Sequence, residues 1–531
     1  ELLIPQVREI VQNYDVEGIF FDTMADLTPC HCPHCRKLFK KEIPLSKENS
    51  LWPEYTKWFS EQYKNFFIKV LSLVHNANPE VKIGFNWMWC ERDAEVPPED
   101  IDWLVLDTAQ GNWQSLMCSF SSKYFAGTDY PFDVMVGRFL HGLGDWSTRP
   151  SDMLKQEVAT TTANAGGFFI IDRMLPDGSL DKEAYQALKN SYSIVKERED
   201  VVKDIRHIAE IGILHSANSL IGKNLEFYAD FETRNERLKP IKGAFKLLME
   251  HGRHFTILNE EMLNKKINEY KLIILPEQEF LEDKTKANLV KYVKNGGKVL
   301  ASQIHSKTDI DKNILKLFGT EFKEFTKLEY GYIGAKNPIM IRGSFAKTKT
   351  TTGVEVSPYL IPSGAEERKG DFGWGVAPPD KKADFPAVIF NKFGKGESIY
   401  ITAPIFLSYL DFQNPHLARY ILGLVDKLFP DPTVKLFAPP QVELVVARKN
   451  NGLIIHLVNH SGERMIGKWP LTEYVPEFSD IKVFVRADRE IKTIVSIPSN
   501  KRIPFTINGL YAEFLLQKLH VMESIKIADY F

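Results

Sequence analysis

Asp15-Val16-Glu17-Gly18-Ile19-Phe20-Phe21-Asp22 is the stretch on which the fold turns. Gly18–Asp22 is short, apolar and aromatic, which marks a buried strand, and it ends in a carboxylate. The segment before it, Ile4–Tyr14, carries apolar residues at helical spacing. The segment after it, Trp52–Ala77, is a long amphipathic helix with Tyr55, Trp58, Phe59, Tyr63, Phe66, Phe67, Val70, Leu71 and Val74 on its apolar stripe. Strand then alternates with helix: Lys82–Trp87, Trp103–Asp107, Phe132–Phe139 and Gly167–Asp172 are further strands, and Pro150-Ser151 opens a helix that Gly166-Gly167 stops. Such alternation implies a parallel sheet. In a parallel barrel the chemistry sits at the C-terminal strand ends, where Asp22, Asn86-Trp87, Asp107 and Asp172 fall. A complete barrel needs eight strands and five are legible. The expected architecture for residues 1–203 is therefore a partial (β/α)8 TIM barrel covering about strands 4–8, with the chain starting just before the fourth.

The pattern changes near Asp204. Ile211–Leu214, His254–Leu258, Leu272–Leu275 and Lys298–Ala301 are strands separated by helices, followed by Ser398–Thr402 and a helix over Pro415–Leu428. Residues 204–432 read as a doubly wound, flavodoxin-like α/β domain, with the Lys-, Gly- and Pro-rich stretch Thr348–Asp384 as a surface loop inside it. Pro430-Asp431-Pro432 marks the next boundary. Residues 433–531 read as a β-sandwich built from Val442–Arg448, Leu453–Asn459, Ile481–Val485, Thr493–Ile497, Phe505–Ile507 and Ala512–Leu516, with a turn at Lys449-Asn450-Asn451-Gly452.

With 531 residues, the chain exceeds what one core supports. It is 44% hydrophobic and 26% charged with a net charge of -2, and has no long basic block, which disfavours a nucleic-acid partner. No apolar run approaches the ~20 residues that span a bilayer, so no membrane partner is expected. The five cysteines include Cys30, Cys32 and Cys35 in one short segment. That spacing reads as metal ligation or free thiols rather than a disulfide framework. Three soft ligands suit tetrahedral zinc in a closed, structural site, with His31 or His34 as further candidates; the alternative is a metal-free thiol cluster. The cytoplasm is the favoured compartment.

Asp22 needs a partner if it is to do glycosidic chemistry, which takes two carboxylates. Asp107, at the end of its strand, and Glu91, after Asn86-Trp87-Met88-Trp89-Cys90, are the candidates; taken singly, each also fits a solvated loop carboxylate. Asn86, Trp87, Trp113, Arg138, Trp146 and Asp172 lie at or near strand ends and are candidate substrate-binding residues, the tryptophans by stacking on a sugar face. Their bland alternatives are packing and, for Arg138 with Asp172, a structural ion pair. In the second domain no Gly-x-Gly-x-x-Gly follows the first strand, and no cysteine elbow occurs, so neither nucleotide binding nor amidotransferase chemistry is expected. A subunit-contact role fits better.

The segment Asp15–Asp22 resembles the fourth-strand motif Y-D-V-D-G-I-x-F-D of α-L-fucosidase-type glycosidases, family 29 and family 151. Gly137-Arg138-Phe139, Gly144-Asp145-Trp146 and Asp172-Arg173-Met174-Leu175-Pro176-Asp177-Gly178-Ser179-Leu180-Asp181 resemble strands seven and eight of the same group. There the last motif runs closer to G-D-Q-L-x-P-D-G, from which Ile171 and Arg173 depart. The second domain resembles the trimerisation domain of family 42 β-galactosidases, which has a glutamine-amidotransferase-like fold. The resemblance implies that Asp22 is the nucleophile. It places a Glu near the Asp107 position, where an Asp is one methylene shorter. It also implies a zinc site at Cys30, Cys32 and Cys35 with a fourth cysteine from upstream, and a homo-oligomer, trimer or dimer.

The sequence therefore predicts a retaining glycoside hydrolase acting on an oligosaccharide or glycoside, α-L-fucosidase-like, with no catalytic cofactor. The alternatives are β-galactosidase-like specificity, a zinc-dependent hydrolase, and a non-catalytic relative that serves binding or assembly.

Overall fold

A computed structural model describes residues 3–22, 30–46, 49–86, 99–108, 114–141, 145–221, 231–304, 312–364, 371–372, 375–467 and 469–531. The chain divides into two compact units: residues 1–208, 223–232 and 436–531, and residues 209–222 and 233–435.

The first unit begins with five strands: β1 (Gly18–Phe21), β2 (Lys82–Asn86), β3 (Trp103–Asp107), β4 (Phe132–Gly137) and β5 (Gly167–Ile171). They form one sheet in sequence order, and each neighbouring pair is parallel. Parallel pairing forces a crossover after every strand. The helices of this unit are α1 (Leu3–Asn13), α2 (Pro33–Phe39), α3 (Trp52–Ala77), α4 (Gln114–Phe125), α5 (Ser151–Ala163), α6 (Lys182–Lys196) and α7 (Glu199–Val202); α4 packs on β4 and α5 on β5, while Val201 of α7 packs with Ala447 and Ile454 of the C-terminal strands. In α3 the predicted stripe is the buried face, with Tyr55, Phe67, Val70, Leu71 and Val74 all in the core. Gly84 is required where β2 passes β3, because a Cβ there would lie 2.2 Å from the Trp103 ring.

The C-terminal β region folds into the same unit. One of its sheets runs Lys501–Arg502, Ile494–Ile497, Met522–Ile527, Gly452–Asn459, Val442–Lys449 and β6 (Arg206–His207). In a second sheet Phe478–Arg486, Tyr511–Leu519 and Phe505–Asn508 are neighbours. Lys449 pairs with Gly452 across a two-residue turn, and Asn450 takes a positive φ of 53°, as the Asn-Asn dipeptide predicts. Val158, Ala159, Ala163 and Ile194 from α5 and α6 pack with Val445, Val458, Val521 and Met522. At ~1.5–3 kcal/mol per fully buried side chain, this apolar seam is the main adhesive between the helices and the sandwich. Its polar complement is the buried Lys123 ammonium, 2.9 Å from Glu443, whose other oxygen meets His460 at 2.8 Å.

The second unit is a nine-stranded mixed sheet in the order Ile339–Arg342, Tyr330–Ile333, Val354–Pro362, Pro379–Phe393, Gly396–Ile401, β10 (Lys298–Ser302), β9 (Leu272–Pro276), β7 (Ile211–Leu214) and β8 (Phe255–Leu258). From β8 to Gly396–Ile401 the chain order is 2-1-3-4-5, the flavodoxin-like winding. One expectation fails here. Most of Thr348–Asp384 is not a surface loop: Val354–Pro362 pairs antiparallel with Pro379–Phe393 and extends the sheet. The prolines hid the strands, and the ladder tolerates them by shifting register repeatedly between Glu355 and Pro362. Among the described residues no helix is long and apolar enough to cross a membrane.

Candidate active site

Three adjacent strands of the first unit deliver three polar side chains to one end of the sheet. Phe21 of β1 pairs with Phe85 of β2, so the next residues in each strand, Asp22 and Asn86, come side by side. Asn86 pairs with Val105, two residues before Asp107 at the end of β3. The Asn86 amide donates from Nδ2 to Asp22 Oδ1 at 2.7 Å and, more weakly, to Asp107 Oδ1 at 3.5 Å. The two carboxylates thus share one donor, and their nearest oxygens can be no further apart than those two distances together. Asn86 is buried, and its own carbonyl oxygen has no hydrogen-bond partner among the described residues.

The two carboxylates sit in unequal surroundings. Asp22 is exposed at the mouth of the sheet, whereas Asp107 is half-buried. Burial is the chief cause that pushes Asp107 up to about 6; the Asp22 charge adds to it and the Asn86 hydrogen bond opposes it. Environments of this kind divide the labour between an acid and a nucleophile.

The next two strands bring a cation. Arg138 follows β4, Asp172 follows β5, and Arg138 Nε donates to Asp172 Oδ1. Arg138 also donates from Nη1 to Thr148 Oγ1 at 2.8 Å, and its Nη2 lies 3.7 Å from Asp181. Its guanidinium stacks over Phe139 at 4.5 Å and lies 5.6 Å from the Trp146 ring. Trp146 is 40% exposed with φ 58°, and its ring also lies 5.7 Å from the Arg173 guanidinium.

Asp22, Asn86 and Asp107 therefore come together in one hydrogen-bonded group. Arg138, Trp146 and Asp172 form a second group at the same sheet end. Glu91, Trp87 and Trp113 lie outside the described residues. Sequence reasoning missed the residues that brace Arg138: Thr148, Asp181 and the fully buried Arg149–Glu157 pair, in which Arg149 holds the Phe139 carbonyl at 3.1 Å. Of these, only Asp181 was inside a recognisable motif.

The cysteines also converge. The sulfurs of Cys30, Cys32 and Cys35 all lie within 4.8 Å of one another. Pro33 starts α2 and Cys32 caps it, accepting from the Cys35 N–H at 3.5 Å, while Tyr55 donates to the Cys30 carbonyl at 2.6 Å. That backbone N–H is the chief cause that lowers Cys32 to about 7. Burial first, then the neighbouring thiols, push Cys35 up to about 12. Three sulfurs this close together form a soft donor set that fits zinc, which binds cysteines in their deprotonated form. The group among the described residues is these three sulfurs, three corners of a tetrahedron.

The first unit thus joins a five-stranded parallel β/α sheet, with carboxylates at its strand ends, to the C-terminal β sheets, and the second is an α/β sheet. Residues 209–417 match the β-galactosidase trimerisation domain family. Among solved structures the chain is similar to α-L-fucosidase isoenzyme 2 from Paenibacillus thiaminolyticus, with a TM-score of 0.82 and 20% identity over 99% of this chain and 79% of that one. It is similar to the β-galactosidase from Bacillus circulans sp. alkalophilus, with a TM-score of 0.71 and 13% identity over 99% and 82% of the two chains. It is also similar to a catalytic mutant of Gan42B, a GH42 β-galactosidase from G. stearothermophilus, with a TM-score of 0.63 and 15% identity over 90% and 68%. No curated protein matches the sequence. The fold is similar to that of these glycoside hydrolases, and residues 209–417 match the β-galactosidase trimerisation domain family.

Proposed function

We propose that the protein is a retaining glycoside hydrolase in which Asp22 is the nucleophile and Asp107 the acid/base. The observation that carries this reading is the shared Asn86 amide, which holds two carboxylates of unequal environment within reach of one glycosidic bond. Retaining enzymes set their carboxyl groups about 5–5.5 Å apart, inverting ones about 6.5–9.5 Å. The Asn86 bridge supports the shorter spacing. Asp22 attacks the anomeric carbon and the sugar–oxygen bond breaks; protonated Asp107 gives its proton to the departing oxygen. The Asp107 carboxylate then takes a proton from water, and that water displaces Asp22 from the sugar. Asn86 fixes the position of Asp22 through its amide donor, and the exposed Trp146 ring, beside the buried Arg138, offers an aromatic face to the sugar.

Likeness to the P. thiaminolyticus fucosidase supports an α-L-fucoside as substrate, and the trimerisation domain supports a β-galactoside as the second choice and a homo-oligomer as the working form. A panel of nitrophenyl glycosides decides between them, and NMR of the first-formed anomer tests the mechanism. Product with the substrate's anomeric configuration supports double displacement; the opposite configuration refutes it. Zinc at Cys30, Cys32 and Cys35 is proposed as a structural clip that anchors the chain after β1.

A further inference from the structure

The second unit has a cavity of about 300 Å³ at the C-terminal ends of β7, β9 and β10. In a 2-1-3-4-5 sheet this is the crevice where winding reverses, between β7 and β9, and where such sheets bind ligands. Glu277 directly follows β9 and Gln303 directly follows β10. Both line the cavity, and both are non-glycine residues at φ 41°. Left-handed backbone at two successive strand ends persists only where the surroundings hold it, and it re-aims each side chain.

The polar atoms facing this space are unevenly satisfied. Glu277 Oε1 accepts from Ser302 Oγ at 2.7 Å and from the Phe406 N–H at 2.9 Å. Glu277 Oε2 is buried with no hydrogen-bond partner among the described residues, and the Leu407 N–H also bears on the carboxyl. Gln303 Nε2 is fixed by the carbonyls of Ser344 and Thr402, which leaves its Oε1 as an acceptor. Two acceptors on neighbouring strands, one a carboxyl oxygen, call for a donor-rich head group. Leu220, Ile241, Phe325 and Leu407 supply apolar wall for a short body; Glu279 and Arg237 also line the cavity, and Glu236 is paired with Lys239.

We propose that this cavity binds a small organic cation, with an ammonium or guanidinium head on Glu277 and Gln303 and a short aliphatic body against the apolar wall. Burial pushes Glu277 up to about 8, so the carboxyl is largely neutral when the cavity holds only water and passes its proton to solvent as the cation docks. This site is separate from the strand-end carboxylates of the first unit and does not depend on the glycosidase reading.

Calorimetric titration of the intact protein with n-pentylammonium, n-pentylguanidinium and neutral 1-pentanol tests it. A cation binds saturably, the alcohol at least about tenfold more weakly, and Glu277→Gln weakens the cation at least about tenfold. Leu407→Trp fills the cavity while keeping its backbone N–H, and it abolishes binding with Glu277 intact. If Glu277→Gln does not fold, Leu407→Trp decides alone. Equal binding of the alcohol, unchanged binding in either variant, or no saturable binding of either cation overturns the proposal.

Discussion

Replacing Asn86 by Leu strikes at the one side chain that joins the two carboxylates. The perturbation removes a 2.7 Å bond to Asp22 and a 3.5 Å bond to Asp107, and puts an apolar group where a donor was. A hydrogen bond to a charged group is worth ~1.5–3 kcal/mol, so loss of the short bond lowers kcat/KM by about 10- to 100-fold. The long bond is worth less, ~1 kcal/mol, which is a rise of about 0.7 in the Asp107 pKa. The sign follows from the chemistry. As the proposed acid, Asp107 works in its protonated form, so activity is expected to be full below its pKa of about 6 and to fall as pH rises through it. Asn86→Leu therefore moves the alkaline limb upward while lowering the plateau. The assay is the pH profile of kcat/KM on an alkyl glycoside, whose poor leaving group needs the proton. A limb that stays in place or moves down, with the plateau unchanged, refutes the idea that Asn86 couples the pair.

Other outcomes follow from the same structure. Because Asp107 is raised in the folded protein, its contribution to stability is present below the unfolded value and lost as pH rises toward about 6, and Asp107→Asn flattens the denaturation midpoint across that window. Glu443 runs the opposite way: Lys123 and His460 hold it well below the usual range, so its stabilisation is present above the unfolded carboxyl value and lost as pH falls. Lys123→Met leaves that buried carboxylate with one partner fewer and costs ~3–5 kcal/mol in chemical denaturation. If the proposed zinc clip holds, the wild type binds stoichiometric zinc in elemental analysis and Cys32→Ser loses it and lowers the melting temperature, while Asp22 and Asp107 stay in place.

How much of this was legible depended on distance along the chain. The helix α3 and the helix Pro415–Leu428 were readable to the residue because their apolar stripes repeat every turn. Strand ends were readable because parallel β/α order puts them at one end of the sheet, which is why Asp22, Asn86, Asp107, Arg138 and Asp172 could be nominated together. The role of Asn86 as a bridge was not readable, since register decides it and register is set by packing. The Val354–Pro362 strand was masked by its prolines. The network of Lys123, Glu443 and His460 joins a helix to a sheet from the far end of the chain, and no local pattern marks such a partnership. Likewise, nothing local marks Glu277 as special; its φ and its buried carboxyl exist only in the folded sheet.

The central claim is that Asp22 forms the covalent bond to sugar, and the most direct measurement is turnover by Asp22→Ala with and without azide. With the nucleophile gone, hydrolysis of a nitrophenyl glycoside falls by at least ~10³-fold, and azide, entering the space the carboxylate left, restores release and yields a glycosyl azide of inverted configuration. Activity near wild type in the variant, or a profound loss on which azide has no effect and yields no glycosyl azide, contradicts the assignment.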